Sequence, residues 1–266
     1  MHTVKLANTG VETSYLSMGT GTSAGRKESS QTRLGHDEFV ALLRYAHDQG
    51  VTAIDCADGY GSHPHIADHM RAVGRDNVVV TTKTGAKDPD KARADILRFL
   101  QELGTDRLDV VLMHCMGNAD WPTERAAVMD VFSEFKRQGV IGAVGVSCHD
   151  HGALRSAVDE PWVDVVLARV NYDGAVMDGT PDEITATLRR IHAAGKFVCG
   201  MKIVGEGPLA GNYRDAIKFV YDLDCVDMMS MGMETSAQVD ANVACIAELH
   251  GSMPPPATAP SLGAVT

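Results

Sequence analysis

The chain has 266 residues, 44% of them hydrophobic and 22% charged, enough apolar material to fill a large core without disulfide or metal staples. Its 24 Lys and Arg against 35 Asp and Glu leave a net charge of -11, which excludes nucleic acid or an anionic membrane as the partner, since both need a basic surface. The six cysteines (Cys56, Cys115, Cys148, Cys199, Cys225, Cys245) form no CxxC pair, "MHTVKLANTG" has no apolar leader, and no later run is long enough to span a bilayer; these predict free thiols in a cytoplasmic protein.

In chain order, "VKLANTGVETSYL" alternates about "ANTG" and predicts a β-hairpin. Short β-branched runs then alternate with longer amphipathic segments. The predicted strands are "TSYLSMGT", "TAIDCA", "NVVVTTK", "LDVVLMHC", "GAVGVSC", "VDVVLARVNY", "KFVCGMKIV" and "CVDMMSMG". The helical segments between and after them run from "HDEFVALLRYAHDQG" to "TSAQVDANVACIAELHG", and several open on Asp, Thr or Asn and close at Gly. "TERAAVMDVFSEFKRQG" reads as one helix. Eight βα units in strict alternation predict an α/β fold, a single closed (β/α)8 TIM barrel over residues 1–251. A doubly wound open sheet seldom needs so many. Residues 252–266, rich in Pro, Ala, Ser and Thr without a period, are expected to form a short disordered tail.

Active sites of this fold sit at the C-terminal ends of the strands, so polar residues there are the candidates. The second strand offers Asp55, Asp58 and Tyr60, and the third Thr82 and Lys83. The fourth offers His114; the fifth Ser147, His149, Asp150 and His151; the sixth Arg169, Asn171 and Asp173; the seventh Lys202. An acid, a phenol, an amine and an imidazole on three adjacent strands form a proton-transfer set, because each tunes the pKa of the others. Asp58 reads as a turn residue ahead of Gly59.

These residues resemble the aldo-keto reductase family. "AIDCADGYG" is similar to its aspartate–tyrosine motif, "VVVTTKTG" to its lysine strand, "LDVVLMHC" to its histidine strand and "GVIGAVGVSCHD" to its fifth-strand motif, from about Lys5 to about Leu249. The resemblance implies a catalytic tetrad of Asp55, Tyr60, Lys83 and His114. Carbonyl reduction needs a hydride at carbon and a proton at oxygen. The hydride must come from a nicotinamide cofactor, since no side chain supplies one. Tyr60 is expected to carry the proton, with Lys83 lowering its pKa, Asp55 keeping the amine charged and His114 orienting the substrate oxygen.

Cofactor contacts implied by the resemblance are Gly19, Thr20, Asp55, Ser147, Lys202, Gln238 and Asn242. There are departures. Cys148 replaces the usual asparagine, Arg169 a glutamine and Met201 an aromatic ring, while Gly232 and Gln238 stand where a lysine and an arginine often grip a 2′-phosphate. The resemblance favours NADP(H), with NAD(H) as the alternative. The short chain after the last helix leaves an open mouth, which suits polar or polyhydroxylated carbonyl compounds and their alcohols, with Trp121 and Tyr172 either stacking on the substrate or covering the rim. A monomer or small homo-oligomer is expected. His63, His65, His149 and His151 raise a metal site, but histidine pairs on polar loops arise by chance, so none is assigned. The alternatives are a metal-assisted isomerase, lyase or hydrolase on the same barrel, and a non-catalytic dinucleotide-binding regulatory protein.

Overall fold

Parallel strands buried on both faces need near-continuous apolar sequence, and the runs at Val79, Leu108 and Val165 supply it. In the computed structural model, which describes residues 1–252, the hairpin comes first, pairing β1 (Thr3–Lys5) with β2 (Glu12–Ser14) antiparallel. There follow β3 (Leu16–Gly19), α1 (His36–Asp48), β4 (Ala53–Asp55), α2 (His63–Val73), β5 (Val79–Thr84), α3 (Pro89–Leu103) and β6 (Leu108–Met116). The second half comprises α4 (Trp121–Glu124), α5 (Ala126–Arg137), β7 (Ile141–Cys148), α6 (His151–Asp159), β8 (Val165–Arg169), α7 (Pro181–Ala193), β9 (Phe197–Met201), α8 (Tyr213–Tyr221), β10 (Met228–Gly232) and α9 (Ser236–Ser252). Strands β3 to β10 are parallel neighbours in chain order, and β10 returns to β3 to close the barrel.

Period-two alternation sorts the strand residues. Ala53, Val79, Val110, Leu112, Ala143, Val165, Leu167, Phe197, Cys199 and Met228 pack inside the barrel, with Leu6 of the hairpin against them. Their neighbours, such as Ile54, Val80, Val111 and Val166, face the helix layer. Three aspartates at strand starts stitch adjacent strands: Asp109, Asp164 and Asp227 accept from the backbone N–H groups of Val80, Val144 and Val198 at 2.8, 2.8 and 2.7 Å.

The caps follow the sequence. Asp88 and Asp150 accept from Lys91 and Ala153 N–H at the starts of α3 and α6, and Thr180 with Glu183 forms a capping box at α7. The segment expected as one helix from Thr123 divides instead into α4 and α5 at Arg125, whose φ of -111° and ψ of 10° leave the helical region. All six cysteines are free thiols, Cys115 exposed and the others buried. No described helix is long and apolar enough to cross a membrane. Of the tail expected to be disordered, Ser252 instead closes α9, and residues 253–266 lie outside the described residues.

Candidate active site

Strand β4 ends at Asp55, and a single 3₁₀ turn over Asp58–Tyr60 carries the chain out of the barrel mouth. Gly61 then takes φ 70° to start α2, and a Cβ there would lie 2.0 Å from the Lys27 carbonyl oxygen. The loop after β3 closes over the same place. A Cβ on Gly21 would stand 2.4 Å from the Tyr60 ring, so only glycine lets the backbone lie against the phenol. Tyr60 is thereby fixed from one side by residues about forty positions away in sequence.

Period-two alternation carries Lys83, four residues after Val79, into the barrel interior. It is 1% exposed. Its Nζ donates to Asp55 Oδ1 at 2.5 Å and to the Cys56 carbonyl oxygen at 2.8 Å, and the other Asp55 oxygen accepts from Ser230 Oγ at 3.0 Å. Burial alone would push this amine toward neutrality. Asp55 and Tyr60 reverse that, raising its pKa above the ordinary value, so Lys83 is an ammonium. It lies 5.1 Å from the centre of the Tyr60 ring. The Tyr60 hydroxyl is 3.5 Å from His114 Nε2. Burial, reinforced by Lys83, His149 and Lys202, lowers the His114 pKa to about 3, so the imidazole is neutral.

One sequence expectation needs correction. Lys83 does act to lower the Tyr60 pKa, but burial raises it by more and Asp55 adds to the rise, so the phenol is held above its ordinary value. Tyr60 is a protonated hydroxyl at neutral pH, with a cation beside it to receive the charge that proton loss creates.

On the cofactor side, Gly19 lies in register between Asp55 of β4 and Gly232 of β10, where a Cβ would come 3.1 Å from the Gly232 nitrogen. Thr20 is buried behind Asp55: its N–H and hydroxyl both donate to the Asp55 carbonyl oxygen, at 2.9 and 3.0 Å, and its Oγ1 is 2.9 Å from Ser62 Oγ. Ser147, at the end of β7, accepts from Cys115 N–H at 2.8 Å, leaving its own O–H to donate. Arg169, at the end of β8, donates through Nη1 to Asp178 at 3.1 Å and through Nη2 to His149 Nδ1 at 2.7 Å. Its Nε is buried without a partner among the described residues. Ser147 and Arg169 thus stand at the ends of the adjacent strands β7 and β8.

Lys202 follows β9 with φ 59° and pairs with Glu206 at 2.5 Å. Gln238 is occupied in the cap of α9, where its side-chain oxygen accepts from Glu234 N–H at 2.6 Å and its own N–H donates to Thr235 Oγ1 at 3.3 Å. Asn242 is buried farther along α9. A Cβ at Gly232 would lie 2.1 Å from Thr22 Oγ1. Thr22 is itself held by Gln31 Nε2 at 2.7 Å. Thus the space beside the strand at 232 is taken by the loop after β3.

The four histidines considered for a metal are dispersed. His63 is buried between Glu102 (2.6 Å) and Thr82 (2.9 Å), while His65 packs on His36 and Phe39. His149 bonds to Arg169, and His151 lies 3.0 Å from Thr187. Among the described residues no group of three or more His, Cys, Asp or Glu is arranged to hold a metal ion. Trp121 is 1% exposed, with its indole N–H donating to the Ala153 carbonyl oxygen at 3.0 Å, so it covers the rim and cannot stack on a substrate. Tyr172 packs edge-on against Phe219.

Sequence reasoning missed Gly21, Ser230 and the His149–Arg169–Asp178 chain. Gly21 sits in a glycine pattern readable as loop flexibility, and the other links join residues on different strands and loops, so no local spacing marks them.

The model of the Aldo/keto reductase family matches residues 15–257. The chain is 24% identical over 217 residues to a D-threo-aldose 1-dehydrogenase of a Pseudomonas species, covering 68% of this chain and 66% of that protein. It is 24% identical over 201 residues to an NADH-specific methylglyoxal reductase of Escherichia coli strain K12, covering 67% and 61%. The chain therefore spans a little under two thirds of these relatives. An aldo-keto reductase of Bacillus halodurans in its holo form has the same fold, with a TM-score of 0.76 at 18% identity and 92% and 91% of the two chains covered.

Proposed function

The chain belongs to the aldo/keto reductase family, and from that premise we propose that it is an NAD(P)(H)-dependent oxidoreductase interconverting a carbonyl and an alcohol, with Tyr60 as general acid and base. One observation carries the reading. The Tyr60 hydroxyl lies 3.5 Å from His114 Nε2 while the Lys83 ammonium, clamped by Asp55, sits 5.1 Å from the ring centre. A substrate oxygen placed between the phenol and the imidazole accepts hydrogen bonds from both. As negative charge develops on it, Tyr60 gives up its proton. Lys83 then stabilises the phenolate, because its attraction is largest when that charge is present. In the reverse direction the same phenolate takes the alcohol proton.

A bound nicotinamide dinucleotide supplies the hydride. Ser147 and Arg169 are proposed to hold its carboxamide, Lys202 and the N-terminus of α9 its phosphates, and Asn242 its adenine, with Gly19, Thr20 and Asp55 forming the wall behind them. NADP(H) follows from the family resemblance. Neither Gly232 nor Gln238 offers a cation to a 2′-phosphate, however, and a relative is named for NADH, so NAD(H) stands as an equal candidate. The substrate is proposed to be a small polar carbonyl compound. Both named relatives act on oxygen-rich ones, an aldose and methylglyoxal.

Fluorescence titration with NADPH and NADH, followed by turnover assays of Tyr60→Phe, tests this. The variant is expected to bind the nucleotide as the unaltered chain does and to lose roughly 10²–10⁴-fold in kcat. Retained turnover in Tyr60→Phe would remove the proton-transfer role, and failure to bind either nucleotide would remove the reading altogether.

A further inference from the structure

Beside the tetrad lies a second donor that the chemistry above does not use. The register of β6 against β7 shifts between Met113 and Met116, and within that bulge Cys115 takes a left-handed φ of 60°, exposed at the mouth next to His114. Its Sγ is 3.7 Å from His149 Nε2. On the other side of the same ring, His149 Nδ1 is 2.7 Å from Arg169 Nη2, and Arg169 is braced by Asp178 at 3.1 Å. A guanidinium can only donate. Nδ1 is therefore the acceptor, and in the neutral ring the hydrogen sits on Nε2. Burial together with Arg169, Lys202 and Lys83 holds the ring neutral, with its pKa near 4. The backbone is pinned as well, by His149 N–H donating to the Met116 carbonyl oxygen at 2.8 Å.

The result is a fixed N–H donor facing a thiol, which is a weak acceptor. The rings of His149 and His114 are 6.4 Å apart. Two oxygens on adjacent carbons lie roughly 3 Å apart by covalent geometry. An oxygen held at Tyr60 and His114 would leave its vicinal neighbour to take the place of the Cys115 sulfur at His149 Nε2. We propose that His149, oriented by Arg169 and Asp178, is a specificity-determining residue that binds the oxygen vicinal to the reacting carbonyl, so that the substrates are α-hydroxy aldehydes and 2-oxoaldehydes. This rests on the carbonyl chemistry proposed above.

The test compares glycolaldehyde with propanal, which replaces the hydroxyl by a methyl group of similar size. The readout is the ratio of the two kcat/KM values, in which effects on nucleotide binding cancel. His149→Phe fills the space without a donor and is expected to lower the ratio roughly tenfold. His149→Gln, with a side-chain N–H, should restore it to within about threefold of the unaltered chain. Arg169→Met, which frees the His149 ring to change tautomer, should lower the ratio as His149→Phe does. An unchanged ratio in His149→Phe, with both aldehydes still reduced, overturns the subsite alone. Absence of turnover of either aldehyde by the unaltered chain with both nucleotides overturns the proposed function, and this inference falls with it.

Discussion

Replacing Lys83 by methionine removes the ammonium that lies between Asp55 and Tyr60, and the structure separates the two consequences. Asp55 is 8% exposed and would keep the Ser230 hydroxyl at 3.0 Å as a side-chain partner. Breaking a buried pair by deleting one member costs about 3–5 kcal/mol, because the remaining charge is uncompensated. At about 2–4 °C per kcal/mol for a chain of this size, Tm should fall by roughly 6–20 °C. The double variant Asp55→Asn/Lys83→Met removes the stranded charge and should recover most of the loss in Tm. Its turnover should stay low, down roughly 10²–10⁴-fold, since Lys83 is the group that opposes the burial-driven rise in the Tyr60 pKa. Circular-dichroism melts and steady-state reduction assays on the two variants measure both effects. A double variant no more stable than Lys83→Met, or a Lys83→Met protein reducing substrate at the unaltered rate, would refute the coupling.

Three further outcomes are expected. His63, buried against Glu102 and Cys56, has its pKa pushed up to about 9 despite burial, so its stabilising contribution is complete below about pH 6.5 and is lost as pH rises through about 9; Tm of the unaltered chain should drop across that window by the equivalent of at most about 3 kcal/mol, and His63→Gln should flatten the slope. The pH profile of kcat/KM for reduction should be level from about pH 5 to about pH 8, since His114 and His149 titrate near 3 and 4 while Tyr60 and Lys83 titrate above their ordinary values of 10.0 and 10.5; a break near 6.5 would show an imidazole changing charge in the step. Gly21→Ala puts a methyl 2.4 Å from the Tyr60 ring, and a ring displaced by about 1 Å should cost roughly 10²-fold in kcat. Gly25→Ala, on the same loop with nothing within 4 Å, is the control, and equal losses in the two would place the effect in the loop rather than at the phenol.

The barrel was legible because its strands are written twice, once as β-branched runs and again as the Asp, Thr and Gly punctuation of the helices between them. That Asp55, Tyr60, Lys83 and His114 would gather at one mouth was legible from the strand ends and the family motifs, and the alternation of β5 agrees, since it turns Lys83 inward four positions after Val79. What depended on competition between forces was not legible. The sign of the Tyr60 shift follows from how completely the ring is buried, which no local stretch records. The break at Arg125 sits where the sequence continues its helical period, so no local stretch marks it. The loop after β3 is the clearest case. Read alone, "GTGTSAG" is flexible glycine, and Gly232 is a missing lysine. In the fold the two facts are one, because Thr22 Oγ1 occupies the space into which any Cβ at 232 would grow, 2.1 Å away, while its neighbour Gly21 lies on the Tyr60 ring. A lysine reinstated at 232 to capture a 2′-phosphate would have to displace the Thr22 hydroxyl from its Gln31 bond, one residue from the Gly21 backbone that lies against the phenol. On the proposed function, the 2′-phosphate position and the phenol meet at two adjacent loop residues, and Gly232→Lys should lower kcat before it gains any affinity for NADPH.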